Sequence, residues 1–325
     1  MVRWGFLGAG AIASTALAPA VHAADRAVLV AAAARDSGRA EALGAHRAYG
    51  DYDALLADGD VEVVYVCLSN EAHLPWTLAA LGAGKHVLCE KPLALTAGQV
   101  DQLAAAAAAA DRLVVEASWY RWHPRVRLAQ QRLAEIGRVR HVASGFTFAG
   151  ELTGNYRLEP ARGGGALYDV GCYAVSACLW AVGQGLPKDV VTRSTTGPSG
   201  VDLDTRAILT WDDGVEAEVQ AAMDRDHGQW LVITGERGEI ELRGEPFTSW
   251  RRPSELWVSD GRGTERAGVP AVDAYRVMVE EMSSVVRCGP GWVLPLAESR
   301  QTAAVLDACF ASAVDRSAPV RPSLT

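Results

Sequence analysis

Lysine is scarce in this chain. Only Lys85, Lys91 and Lys188 occur, and the rest of the 31 basic residues are arginine. Together with the alanine run from Ala104 to Ala110, this reads as a coding preference for Arg and Ala, so each retained lysine raises a question. Positive charge is also short overall. With 39 acidic residues the net charge is -8, a poor match to nucleic acid or to anionic lipid. The six cysteines (67, 89, 172, 178, 288 and 309) contain no C-x-x-C pair and no metal-ligand spacing. That excludes a zinc ribbon and a dithiol motif, and no metal site is expected; the thiols belong in a reducing compartment. No apolar stretch approaches the roughly 20 residues that cross a bilayer. A first strand at Val2 leaves no room for a signal peptide. The expected location is the cytoplasm, with neither a membrane nor a nucleic-acid partner.

What is present is ordinary globular material, 49% hydrophobic and 22% charged over 325 residues, which excludes disorder and fibrous structure and predicts two domains. Up to residue 120, short apolar strands alternate with helices. Val2–Leu7, Val28–Ala34, Val61–Leu68, His86–Glu90 and Leu113–Ala117 read as strands, separated by helices that include 12–24, 74–83 and 96–110. Thr96 with Gln99 three residues on has the capping-box pattern. This alternation implies an α/β domain with a doubly wound parallel sheet over residues 1–120. From 121 to 325 strands follow one another, with turns at Asp213-Gly214 and Gly235–Gly238 and helices at about 165–182, 272–287 and 296–314. The expectation is an α+β domain on a large, open, mainly antiparallel sheet. The last helix, about 296–315, is the one that returns to the first domain, and 244–270 forms an exposed loop in which Glu255–Val258 reads as a strand.

Gly8-Ala9-Gly10-Ala11-Ile12-Ala13 matches G-x-G-x-x-A between a strand and a helix, the context a dinucleotide fingerprint requires. Gly8 permits the tight turn and Gly10 lets a pyrophosphate approach the backbone. Helix N–H groups from Ile12 onward face that anion. At the tip of the second strand, Arg35 and Arg39 suit the 2′-phosphate of NADP, since a guanidinium donates bidentately. Asp36 argues for NAD through the ribose hydroxyls. NADP is the favoured cofactor and NAD the alternative.

In doubly wound sheets, ligands lie beyond the carboxyl ends of the strands. One such strand, ending at Leu68, runs into Ser69-Asn70-Glu71-Ala72-His73; another runs into Glu90-Lys91-Pro92. Lys91 therefore sits at a strand tip. Its structural alternative is a salt bridge to Glu90. The glycine-rich start, the run Gly84–Pro92 (GKHVLCEKP) and the run Gly163–Tyr173 (GGGALYDVGCY) resemble the glucose–fructose oxidoreductase / inositol dehydrogenase (Gfo/Idh/MocA) family over nearly the whole chain. Asn155-Tyr156-Arg157 and a tyrosine at 173 resemble the branch holding dimeric dihydrodiol dehydrogenase, D-xylose dehydrogenase and glucose–fructose oxidoreductase.

The resemblance implies that Lys91 is the catalytic lysine and Tyr173 the acid/base tyrosine. Asp169, Trp119, His73 and Arg157 lie at the substrate. Gly8, Ala9, Gly10, Ala11, Ile12, Arg35, Arg39, Leu68, Asn70, His73, Glu90 and Lys91 bind the cofactor. The Lys91–Pro92 peptide is often cis in this family. The chemistry is coherent on its own terms. Alcohol oxidation removes a hydride, which needs a nicotinamide. It also removes a proton, which a phenol of pKa about 10 accepts at neutral pH only beside a positive charge. The implied function is NADP(H)-dependent hydride transfer to or from a sugar, sugar derivative or cyclic diol. Reduction of a keto-sugar or anhydro-keto-sugar is the alternative direction, and a non-catalytic NAD(P)-sensing regulator the alternative class. A homodimer or higher homo-oligomer is expected.

Overall fold

The computed structural model describes residues 1–150, 152–315 and 317–323. The chain divides into two compact units, one of residues 1–94, 98–122 and 273–296, the other of 95–97, 123–272 and 297–325.

The first unit is built on β1 (Val2–Leu7), α1 (Ala18–Ala23), β2 (Ala27–Ala33), α2 (Ser37–Glu41), β3 (Arg47–Tyr49), α3 (Tyr52–Leu56), β4 (Val63–Val66), α4 (Asn70–Gly82), β5 (His86–Cys89), α5 (Ala97–Ala110) and β6 (Val114–Glu116). The strands form one sheet in the order β3-β2-β1-β4-β5-β6, all parallel. Val63–Val66 is buried at every position, as expected where helices cover both faces of a parallel sheet. The order reverses between β1 and its neighbours β2 and β4, and that switch point is where the loops after β1 and β4 meet. β3 was not anticipated. It is three half-buried residues long, too short for a period to show.

The second unit holds α6 (Pro124–Arg132), β7 (Val139–Ala149), α7 (Cys172–Val182), β8 (Asp189–Thr196), β9 (Asp202–Thr210), β10 (Glu216–Ala222), β11 (Asp224–Gly235), β12 (Gly238–Arg243), β13 (Ser254–Asp260) and β14 (Gly263–Val269). They make an eight-stranded sheet, β14-β13-β12-β11-β7-β10-β9-β8. Every pairing is antiparallel except β7 with β10.

Three expectations are corrected. The strand expected at Glu255–Val258 is β13, but it is half of a β-hairpin whose other strand, β14, lies in the stretch read as a loop; β14 hid because six of its seven positions are at least partly exposed. The helix that joins the first unit is α8 (Ala274–Val286), where Ser283 Oγ accepts a bond from the Trp4 indole at 3.1 Å. α9 (Leu296–Val314) belongs, from Ala297, to the second unit. Finally, the run Pro160–Val182 does have the length and apolar composition of a bilayer span, with 89% of its most apolar window buried inside the molecule. A core helix packed on a sheet meets the same criterion.

Candidate active site

In the first unit the phosphate loop follows β1 directly. Gly8 has φ +99°, and a Cβ there would lie 2.2 Å from the Cys67 carbonyl oxygen, so only glycine fits. Its N–H donates to the Ala33 carbonyl at 2.9 Å, while Cys67 N–H donates to Leu7, which draws the ends of β1, β2 and β4 together. At Gly10 a Cβ would meet only Cys67 Sγ, at an ordinary 3.6 Å. Burial raises the Cys67 thiol to about 12, so it acts as packing. Ala11 is exposed at the start of the following helix, which widens into a π-turn over Ala13–Leu17.

Arg35 is exposed at the tip of β2, and the exposed Arg39 donates to the Ala9 carbonyl of the glycine loop. Asp36 caps α2, accepting the Gly38 N–H at 3.0 Å. A turn with glycine at 8 and 10, an accessible helix start and two arginines at the neighbouring strand tip make the donor set that a dinucleotide with a 2′-phosphate needs. The residues present therefore fit NADP. Tyr52, which the sequence reading passed over, lies close enough to Arg35 and Arg39 for their charges to oppose the rise that burial imposes on its pKa.

The Lys91 loop leaves β5 through a cis Lys91–Pro92 peptide and is held by buried groups. Glu90 Oε2 accepts the Lys91 N–H at 3.3 Å, Glu116 Oε1 accepts the Leu93 N–H at 3.2 Å, and His73 Nδ1 lies 2.8 Å from the Pro92 carbonyl oxygen. His73 Nε2 lies 3.1 Å from the Leu68 carbonyl. Both nitrogens of this fully buried imidazole thus face main-chain oxygens. Burial lowers its pKa against the pull of those two carbonyls. Asn70 is buried in the first turn of α4. Trp119 is 5% exposed and stacks on Tyr275 of α8, ring centroids 4.5 Å apart.

In the second unit the triple glycine is wedged between two fixed groups. A Cβ at Gly164 would lie 2.5 Å from the Arg157 carbonyl oxygen, and one at Gly165 (φ +118°) would lie 2.1 Å from Asp202 Oδ1. Asp202 Oδ2 accepts the Leu167 N–H at 2.8 Å and so caps the helical run from outside it. That run begins as a π-turn, Leu167–Gly171, and continues as α7. It carries Asp169 and Tyr173, both buried. π-Turns inside helices frequently mark functional sites.

The cap of this run is therefore Asp202, and Asp169 does not serve as one. Asp169 Oδ2 instead accepts Arg157 Nε at 2.7 Å, and Asn155 Oδ1 accepts the Arg157 N–H at 3.1 Å. Burial opposes the Arg157 charge, but Asp169 outweighs it and the pKa rises. The Tyr173 ring lies 5.9 Å from Phe146 and 5.8 Å from Phe247. Asp202, Tyr65 and Glu116 were not singled out from sequence. The contacts that give them their place in the site, Tyr65 to Glu90, Leu93 to Glu116 and Leu167 to Asp202, span 23 or more residues, beyond the reach of any local pattern.

Residues 2–118 match the model of an oxidoreductase family with an NAD-binding Rossmann fold, and residues 126–241 match the GFO/IDH/MocA C-terminal domain. The chain is 34% identical over 320 residues to D-xylose 1-dehydrogenase (NADP(+)) 2 of Haloferax volcanii, covering 96% of this chain and 97% of that protein. It is 30% identical over 324 residues to trans-1,2-dihydrobenzene-1,2-diol dehydrogenase of Mus musculus, covering 94% and 95%. Among solved structures it resembles KijD10, a 3-ketoreductase from Actinomadura kijaniata in complex with NADP and TDP-benzene. The TM-score is 0.89 at 29% identity, covering 95% of this chain and 97% of that one.

Proposed function

The chain belongs to the GFO/IDH/MocA oxidoreductase family, and from that premise we propose that it oxidises a secondary alcohol or hemiacetal of a sugar, sugar derivative or cyclic diol, with Lys91 and Tyr173 as its acid/base pair. It is an NAD(P)-dependent enzyme acting at CH–OH or keto groups, and its cofactor is NADP. NADP supplies the hydride-carrying carbon, which no side chain provides. Gly8, Ala9, Gly10, Ala11 and Ile12 hold its pyrophosphate, Arg35 and Arg39 its 2′-phosphate, and Leu68 and Asn70 border the ribose.

Tyr173 handles the proton. As phenolate it accepts the proton of the substrate hydroxyl at its Oη, and in the reverse direction it returns that proton to the developing alkoxide. Lys91 favours the phenolate by its charge, so the two titrate as a pair. Asp169, already oriented by Arg157, accepts a bond from a second substrate hydroxyl, and Trp119 forms an apolar wall. The observation that carries the reading is the confinement of the Lys91 backbone by Glu90, Glu116 and His73 at the carboxyl end of β5, where a doubly wound sheet places its ligand.

The test is a panel of aldoses and cyclic diols with NADP⁺, followed at the nicotinamide absorbance band. Turnover is expected, and Lys91→Met and Tyr173→Phe each lower kcat by about 10²–10⁴-fold while NADPH still binds. Wild-type rates in either variant overturn the assignment. The likeness to a 3-ketoreductase supports a second reading, physiological reduction of a keto-sugar. Initial rates with NADPH and ketoses that exceed those with NADP⁺ and aldoses select it.

A further inference from the structure

Tyr65 is the third of four residues in an otherwise all-valine strand. It is fully buried on β4, edge-on to Phe6 with ring centroids 4.8 Å apart. Phenylalanine would fill that volume without a buried hydroxyl to satisfy. The hydroxyl donates to Glu90 Oε1 at 2.6 Å, the short distance of a bond to an ionised acceptor. The other Glu90 oxygen takes the Lys91 N–H. We propose that Tyr65 is a positioning residue for Lys91: its hydroxyl fixes the Glu90 carboxylate, and Glu90 fixes the peptide that carries the lysine. The proposal rests on the reading of Lys91 given above.

A buried carboxylate persists only where hydrogen bonds and a counter-charge replace its water. The groups that face Glu90 are Tyr65 from β4, Cys67 just beyond it, Cys89 at the end of β5, Lys91 in the loop and Glu116 from β6. His73 of α4 lies against Lys91. Among these, Lys91 supplies the counter-charge and Tyr65 the side-chain donor, while Glu116 opposes the charge. Without the Tyr65 hydroxyl, Glu90 is left to the Lys91 N–H and ammonium, and the Lys91 peptide loses its tie to β4, while Glu116 and His73 still hold the loop at Leu93 and Pro92.

The experiment is a double-mutant cycle with Tyr65→Phe and Glu90→Gln, read in two ways. Tyr65→Phe is expected to lower kcat about tenfold with the dissociation constant of NADPH unchanged, and to change kcat less than about twofold in the Glu90→Gln background. An equal loss in both backgrounds, or no loss in the single variant, overturns the proposal. The second readout needs no turnover. With three lysines in the chain, reductive ¹³C-dimethylation gives three lysine NMR signals beside that of the N-terminal amine, Lys91 being the one lost in Lys91→Met. Tyr65→Phe is expected to move the Lys91 signal and leave Lys188 in place; an unmoved Lys91 signal overturns the proposal even if no substrate is found. Failure to turn over any substrate, with a shifted Lys91 signal, sinks the functional reading and leaves this one standing.

Discussion

Arg35 and Asp36 stand side by side after β2, and as sequence they argue for opposite cofactors. The structure separates them by giving Asp36 other work. Its carboxylate is the N-cap of α2, holding the Gly38 N–H, which draws it into the helix end. Arg35 is exposed at the strand tip, and Arg39 reaches the glycine loop. Charge-assisted bonds to a phosphate are worth about 1.5–3 kcal/mol. Arg35→Ala is therefore expected to weaken NADPH about 10–100-fold and to leave NADH within twofold, as read by fluorescence titration of both cofactors. Equal weakening of the two would show that Arg35 does not meet the 2′-phosphate. Residue-scale features of this kind were legible where the requirement is local. Gly8 needs a positive φ between a strand and a helix, and the motif states that need. They were illegible where the partner is remote, as for the Glu90 carboxylate that satisfies Tyr65 from 25 residues away.

At the scale of the element, the starts of helices carry most of what sequence patterns missed. α6 begins with His123, whose Nδ1 accepts the Arg125 N–H at 3.1 Å, an N-cap made by an imidazole in place of a hydroxyl or carboxylate. Histidine is an unusual cap and carries no such signal in sequence; the proline at the first helical position was the available clue. The cap works only while Nδ1 is unprotonated. Burial, reinforced by the Arg125 charge, pushes the His123 pKa down to about 4.

An ordinary histidine titrates near 6.5, so as pH falls below that value the unfolded chain takes up the proton first. The contribution of His123 to stability is complete above about pH 6.5 and is lost progressively on the way down to about 4. Tm should fall across that window. His123→Asn keeps an acceptor at the cap and removes the titration, so its Tm is expected to fall less steeply, by the slope of one proton. His73 and His86, whose pKa values are also lowered, add slope of the same sign, and the raised carboxyls of Glu90, Asp202 and Asp307 oppose it. Parallel Tm curves for wild type and variant from pH 6.5 to 4 would remove His123 from the account.

For the whole molecule, composition and motif order were enough to name both architectures, because a parallel sheet and an open antiparallel sheet impose different hydrophobic periods. They could not show that the chain interleaves its two units, since membership of α8 and α9 depends on packing partners far off in sequence. The same large sheet leaves a question that a single chain does not answer. Phe146 of β7 meets Tyr173 of α7, which fixes the helix-covered face. The opposite face is defined by register. Val191, Ile208, Glu218, Ala143, Val232 and Glu241 pair in one row across β8, β9, β10, β7, β11 and β12. The row mixes apolar and charged positions, and Ile208 is 46% exposed in it, one of three large apolar side chains so exposed among the described residues. On the same face Trp230 lies flat over Gly145, where any Cβ would meet its ring at 2.1 Å. A broad sheet face of this composition suits an isologous interface, in which each patch meets its own copy. The expected mass by light scattering at tens of micromolar is therefore a multiple of the 34.5 kDa chain, twice that value for a dimer. Ile208→Glu, which places a charge at an exposed position and leaves the core untouched, is expected to lower the mass toward one chain with an unchanged far-ultraviolet spectrum. A wild-type mass of one chain, or a variant that associates as the wild type does, would free this face from any role in assembly.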